Sequence, residues 1–246
     1  FRILSNGSAL TPVNAEGRNT NIFNTAEVDA STSAAAVNVV GNSRANTIIG
    51  SDGNDIITGA GGADALTGGL GNDVFVIGAT VNPDGTAGPS ELRSLTSLSG
   101  GGGIDTLRLI KAQSLSVTDF ALAGSSPQTF RITAIERIEI SGDQGSYSVT
   151  LGSAFNSVLS NGFEISAAAM QAAQLVVDAT GLDKTLTLSG GGAADTLTGG
   201  SAADTLSGGA GADTLRGGAG QDTLTGGTGN DVFVFQSGEL STSLAS

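Results

Sequence analysis

The sequence predicts an all-β fold: a parallel solenoid, a flattened coil of short strands joined by glycine-rich turns. Irregular strand-rich segments and at most one or two short helices complete it. Three observations carry this expectation. A nine-residue unit recurs ten times, glycine supplies 39 of 246 residues, and aromatic residues make up only 4%. A short fixed period marks an architecture in which each unit packs only on its neighbours.

Taken in order, residues 1–40 read as a partial strand-rich segment. From Gly41 the chain divides into GNSRANTII, GSDGNDIIT, GAGGADALT and GGLGNDVFV, a first array over 41–76. Residues 77–99, with Pro83, Pro89 and several Gly and Ser, read as a loop excursion. A lone copy, GGGGIDTLR, occupies Gly100–Arg108 and opens a strand-rich connecting segment that runs to residue 189. A second array over 190–235 begins GGGAADTLT, GGSAADTLS and GGAGADTLR, and ends GGAGQDTLT and GGTGNDVFV. Residues 236–246 form a truncated tail.

Each unit has two physical halves. The first six positions are rich in glycine, which reaches backbone conformations with positive φ that other residues adopt only at a cost. The last three alternate polar, apolar, polar, as in a short strand with one side chain turned inward. The eighth position is always large and apolar: Ile48, Ile57, Leu66, Phe75, Leu107, Leu197, Leu206, Leu215, Leu224 and Phe233. Two units complete a circuit, so turns 18 residues apart stack on one edge. The sixth position is Asp55, Asp64, Asp73, Asp105, Asp195, Asp204, Asp213, Asp222 or Asp231, with Asn46 in the first unit. Stacking therefore lines up carboxylates that repel one another, while one inward side chain per nine residues makes a thin core. A cation must be part of the structure. The turns offer only carboxylate and carbonyl oxygens, a donor set that suits Ca²⁺.

Composition removes other classes. With no Cys and no His there is no disulfide framework, no thiolate or imidazole metal site and no Ser-His-Asp or Cys-His catalysis within the chain. A net charge of −13 opposes nucleic acid and anionic membranes. No apolar run is long enough to span a bilayer, and no cationic stretch followed by an apolar one opens the sequence as a signal peptide would.

The pattern GGxGxDxUx, with U a large apolar residue, resembles the repeat of RTX (repeats-in-toxin) calcium-binding β-rolls. The resemblance covers residues 41–76, 100–108 and 190–234. It implies that each ion lies between one turn and the turn two units later, held by the aspartates named above and by turn carbonyls. Carried over, the carbonyl donors are those of Gly59, Gly61, Gly69, Gly71, Gly101 and Gly103 in the first part of the chain. In the second array they are those of Gly191, Gly200, Gly209, Gly211, Gly218, Gly220, Gly227 and Gly229. The implied pairs are 41–46 with 59–64, 50–55 with 68–73, 190–195 with 208–213, 199–204 with 217–222, and 208–213 with 226–231. The turn 41–46 departs from the pattern, with Asn46 for Asp and Arg44 for Gly, and Ala193 and Ala202 replace glycines. If 77–99 is an excursion, turn 100–105 is expected to stack on 59–64, which brings the count to five or six calcium ions. Six divalent ions would add about +12 and leave a nearly neutral protein.

A longer duplication encloses the arrays. Val28-Asp29-Ala30-Ser31 precedes Gly41 by the interval at which Val177-Asp178-Ala179-Thr180 precedes Gly190, a period of 149 residues, and Leu4-Ser5-Asn6-Gly7 resembles Leu159-Ser160-Asn161-Gly162. The sequence thus reads as one and a half modules of a longer array. Between the arrays, strands are expected over Asp105–Ile110, Phe130–Ile140, Tyr147–Leu151, Leu175–Ala179 and Thr185–Leu188. A short helix is expected after an N-cap at Ser166. Asp29 and Asp178 read as strand-end caps. Glu136 and Glu139 fall on opposite faces of a strand, which argues against a paired-carboxylate site, and Asp119, Lys111 and Tyr147 are too scattered to suggest a polysaccharide lyase.

Two functions fit. In the first, the chain is non-catalytic: a secreted calcium-binding structural protein resembling S-layer, filament or adhesin subunits. It self-associates, binds no nucleic acid, inserts in no membrane and is exported by a type I system. In the second, it is the calcium-binding, secretion-linked module of a protease, lipase or epimerase. The duplication favours the first.

Overall fold

The computed structural model describes residues 2–5, 20–21, 25–81, 87–110, 114–115, 131–142, 145–237, 239 and 243–245. Asn6, Gly7, Lys111, Asp119 and Phe130 lie outside them. The chain divides into two compact units, one of Phe1–Arg108 with Phe120–Ile135 and one of Leu109–Asp119 with Glu136–Ser246.

In the first unit one sheet runs in the order Arg2–Ser5, Thr25–Asp29, Thr47–Ile49, Ala65–Leu70, Ser97–Gly102, Ile132–Thr133. Its first pair is antiparallel and the rest are parallel. The other sheet places Thr20–Asn21, Asn38–Val40, Ile56–Thr58, Val74–Ile77 and Thr106–Leu109 side by side. The chain crosses from one sheet to the other at the glycine-rich turns, and each repeat strand turns its eighth-position side chain inward. Ile48 faces Leu66, and Ile57 faces Phe75, in the register of a two-unit circuit.

The second unit repeats the plan. One sheet runs Ser114–Leu115, Ser146–Thr150, Gln174–Asp178, Thr196–Thr198, Thr214–Arg216, Val232–Phe233. The other places Arg137–Ile140, Phe163–Ser166, Leu186–Ser189, Thr205–Ala210, Thr223–Thr228 and Ser243–Ala245 side by side. The pairs within both sheets are parallel. This is the parallel β-roll that the repeats predict.

The eighth-position side chains form the core. Ile48, Ile57, Leu66, Phe75, Leu107, Leu197, Leu206, Leu215 and Leu224 are completely inaccessible to solvent. Phe233 departs from this: it is half-buried, and Val232 beside it is 54% exposed. Its strand is the last of its sheet among the described residues.

The duplication is visible in hydrogen bonds 149 residues apart. Ser31 N–H donates to Asp29 Oδ1 and Thr180 N–H to Asp178 Oδ1, both at 2.9 Å; both aspartates are strand-end caps. Asp52 N–H donates to Ser33 O and Ser201 N–H to Leu182 O, both at 2.8 Å.

Three expectations need correction. The strand expected over Phe130–Ile140 is broken into Ile132–Thr133 and Arg137–Ile140, because Ala134 takes φ +50° between them. No helix follows Ser166, which ends the strand Phe163–Ser166. The residues after it make a turn in which Met170 N–H donates to Ala167 O at 2.8 Å. Ala167, Met170 and Ala173 are buried there, and a segment this short gains more from tertiary burial than from a helix it can barely nucleate. The excursion is structured too. It contains an antiparallel pair, Ala79–Val81 with Ala87–Ser90, and a single helical turn, Glu91–Ser94.

Candidate metal centre

Glycine is favoured at two kinds of place in the turns, although Ala60 takes φ +65° at the second position of its turn. The first glycine of a unit lies against the carboxylate five residues on: a side chain on Gly68 would overlap Asp73 Oδ2, and one on Gly208 would overlap Asp213 Oδ2. In the later turns the second and fourth positions take positive φ. Gly69, Gly71, Gly101, Gly103, Gly209, Gly211, Gly218, Gly220, Gly227 and Gly229 lie between +98° and +136°, a region where a side chain is strained. Both demands push the carbonyls and the carboxylate of a turn toward the same edge.

The carboxylates are buried there. Asp55, Asp64, Asp73, Asp105, Asp195, Asp204, Asp213 and Asp222 are each at most 1% exposed. Their Oδ1 atoms form a ladder with backbone amides of the preceding turn. Asp55 N–H donates to Asp73 Oδ1 at 2.8 Å, Asp73 N–H to Asp105 Oδ1 at 2.8 Å, and Asn46 N–H to Asp64 Oδ1 at 2.8 Å. In the second array Asp195 N–H donates to Asp213 Oδ1, Asp204 N–H to Asp222 Oδ1 and Asp213 N–H to Asp231 Oδ1, at 2.8, 2.9 and 3.0 Å.

Oδ2 separates the turns into two groups. In the first two turns of each array, the side chain at the sixth position accepts the N–H of the second residue of its own turn. Ser51 donates to Asp55, Gly191 to Asp195 and Gly200 to Asp204 through Oδ2, at 2.5, 2.7 and 2.7 Å. Asn42 does the same for Asn46 Oδ1 at 2.8 Å. In later turns positive φ swings that amide away. Asp73 Oδ2 and Asp213 Oδ2 are fully buried and have no hydrogen-bond donor among the described residues. Each lies beside another acceptor, because the point a Gly68 side chain would occupy touches both Asp73 Oδ2 and Gly100 O, and that point on Gly208 touches both Asp213 Oδ2 and Gly226 O.

Two oxygens facing each other without a proton repel. Burial, with the neighbouring Asp55 and Asp105 charges, pushes Asp73 from 3.8 up to about 6. Burial likewise pushes Asp204 up to about 6, with a smaller contribution from Asp222. Asp195 and Asp213 are raised for the same reasons, by burial first and then by the charges of Asp213 and Asp231 respectively. A cation between successive turns removes this penalty. Among the described residues no three acidic side chains converge, so such a cation draws on two carboxylates at most and on carbonyls for the rest. Carbonyls already in the ladder, such as Gly191 O and Gly200 O, which accept Ala210 and Ala219 N–H, keep a second lone pair for this. The donor set therefore fits Ca²⁺.

The expected positions of the turns hold with one exception. Turn 100–105 does not stack on 59–64. It stacks on 68–73, pairing Gly101 with Gly69 and Gly102 with Leu70, and Ile104 N–H donates to Asn72 Oδ1 at 2.8 Å. The excursion returns to the coil as the strand Ser97–Gly102, which already supplies the half-circuit between the two turns. On the other edge Thr96 N–H donates to Asp64 O at 2.7 Å. Asn46 is buried and keeps the hydrogen bonds of an aspartate without the charge, so the turns 41–46 and 59–64 bring one carboxylate together where the other pairs bring two.

The sequence reading missed the residues that close each ladder from outside the arrays. Val37, Leu175 and Leu186 donate their amides to Oδ1 of Asp55, Asp195 and Asp204, at 2.7, 2.7 and 2.8 Å. Counting one circuit back from the first aspartates would have found Val37 and Leu186. In the strand Arg137–Ile140, Ile138 and Ile140 are buried while Glu139 between them is half-buried, on the opposite face.

Residues 40–75, 187–215 and 198–233 match the family model of the RTX calcium-binding nonapeptide repeat, in four copies. No curated protein matches the chain.

Proposed function

From a chain that carries RTX calcium-binding repeats, we propose a secreted, non-catalytic structural protein of the S-layer, filament or adhesin type, whose folding and self-association depend on extracellular calcium. The observation that carries it is the buried row of carboxylates, with Asp73 Oδ2 and Asp213 Oδ2 each set against a carbonyl and without a donor. Asp55 with Asp73, Asp195 with Asp213, Asp204 with Asp222, and Asp213 with Asp231 would hold one ion per pair, and Asp64 with turn carbonyls a further one. Bound calcium supplies the positive charge that lets these carboxylates remain ionised while buried.

The chain's own residues do the rest. Backbone amides fix one oxygen of each carboxylate, first-position glycines leave room for the other, and the eighth-position side chains lock the turns at the spacing of the sheet. Calcium sites of extracellular modules have Kd on the order of 10⁻⁴–10⁻³ M, so such a chain stays unfolded where calcium is scarce and folds after export. RTX repeats typify proteins exported by type I systems, and among the described residues no helix is long and apolar enough to cross a membrane. The 149-residue duplication supports a tandem surface protein over a secretion-linked enzyme module.

Far-UV circular dichroism with and without EGTA tests the reading. Chelation should abolish the β signal and millimolar Ca²⁺ restore it; a spectrum unchanged by EGTA would overturn it. Negative-stain images in both conditions test the assembly, which should appear only with calcium.

A further inference from the structure

The family match ends at residue 75 and resumes at 187, so it leaves turn 100–105 outside. We propose that turns 68–73 and 100–105 form a calcium site of their own, and that this site is a clasp anchoring the segment 77–97. The proposal rests on the calcium reading above and goes beyond it in place and consequence.

Four observations lead there. Turn 100–105 lies directly on turn 68–73, although the hydrogen bond from Asp73 N–H to Asp105 Oδ1 joins residues 32 apart rather than 18. Asp73 is fully buried, its Oδ1 is engaged by Asp55 N–H, and its Oδ2 has no donor. That oxygen faces forward, toward turn 100–105, because it meets Gly100 O around Gly68. Finally, Gly69, Gly71, Gly101 and Gly103 all take positive φ, the conformation shared by the facing turns 208–213 and 226–231 of the second array. Two acceptors that meet in a dry space call for a cation. The all-oxygen donor set, carboxylate and carbonyl, selects a hard divalent ion of calcium's size over a softer metal.

The clasp follows from where the two acids sit. Asp73 immediately precedes the strand Val74–Ile77, from which the segment departs. Asp105 lies three residues beyond the end of the strand Ser97–Gly102, by which it returns. One ion between their turns ties both ends of the segment together. Beside this, the returning end makes hydrogen bonds from Thr96 N–H to Asp64 O at 2.7 Å and from Thr96 Oγ1 to Ala63 O at 3.1 Å, and the Arg131 guanidinium donates to Leu95 O at 3.2 Å. Calcium thus fixes the root of the segment, which carries the pair Ala79–Val81 and Ala87–Ser90 and the turn Glu91–Ser94.

Asp105→Asn tests this, since it keeps the shape and the acceptor for Asp73 N–H while removing the charge. Calorimetry should count one ion fewer than in the parent. Trypsin in millimolar Ca²⁺ should cut after Arg93 about tenfold faster than in the parent, with cutting after Arg216 unchanged. An ion count and cleavage rate equal to the parent's, beside a loss of one ion in Asp222→Asn, would overturn the clasp and leave the calcium reading standing. A parent that binds no calcium would overturn both. If Asp105→Asn does not fold, the parent decides: anomalous scattering from Tb³⁺ beside Asp73 and Gly100 supports the site, and none there, with Tb³⁺ bound in the second array, removes it.

Discussion

The turns that open each array and the turns that follow share a sequence pattern but hold their carboxylates differently. In the opening turns, Asp55, Asp195 and Asp204 have both oxygens engaged by backbone amides. In the following turns, Asp73 and Asp213 keep one buried oxygen without a donor. An amide swung by positive φ makes the difference. An opening turn is a finished end that needs a cation on one side only, whereas a following turn is incomplete until one arrives. Ladders of this kind grow from a start whose carboxylates are fully hydrogen-bonded toward turns whose carboxylates are not.

Calcium removal should break the comparison most severely. With several sites each contributing about 2.7 kcal/mol at one hundred times its Kd, EGTA should unfold both groups of turns together, read as loss of the far-UV signal. Survival of the opening turns alone, seen as residual amide protection at Asp55 and Asp204, would show that they are self-sufficient.

Single substitutions come next. Asp213 faces Asp195 on one side and Asp231 on the other, so Asp213→Ala should cost two ions and on the order of 5 kcal/mol in millimolar Ca²⁺. Asp195→Ala should cost one ion and about half as much. Equal losses by calorimetry and thermal denaturation would erase the distinction.

Acid should sharpen it more gently. Asp73 and Asp204 have folded-state values near 6 against 3.8 for the free side chain. Protonation therefore favours the ion-free fold: its contribution is fully present below about 3.8 and is lost as pH rises through 6. Without calcium, β signal should increase as pH falls from 7 toward 4.5; a flat profile would show that the buried charges are not what keeps the ion-free chain unfolded. The smallest effect expected is from Asn46→Asp. It gives turns 41–46 and 59–64 their second carboxylate and should tighten binding there severalfold in a calcium titration.

Most of this was legible from the chain alone, and the reason is the period. Asp at the sixth position of every unit but the first, and a large apolar residue at the eighth of all, fix which residues stack, so the β-roll, its core and the carboxylate edges follow from counting. Counting fails where the chain stops counting. The excursion hides the partner of turn 100–105, because its length does not reveal which circuit it rejoins. Ala134 with positive φ leaves no trace in a run of strand-forming residues. Ser166 and the alanines after it look helical because local propensity cannot see that Ala167, Met170 and Ala173 are wanted in the core. The distinction between opening and following turns was also invisible, since Gly191 and Gly209 are the same residue in the same position and only the latter takes positive φ.

Turn 100–105 rejoins the coil in register after a detour of its own length and content. Placement in this fold is therefore set by the face a turn presents and not by the distance along the chain. Such a scaffold can accept foreign sequence at the edge of a coil without disturbing the coils on either side. Recombination between glycine-rich codons could insert, exchange or delete whole passengers there, and a designer could place an epitope or an enzyme between Ile77 and Ser97 for the same reason.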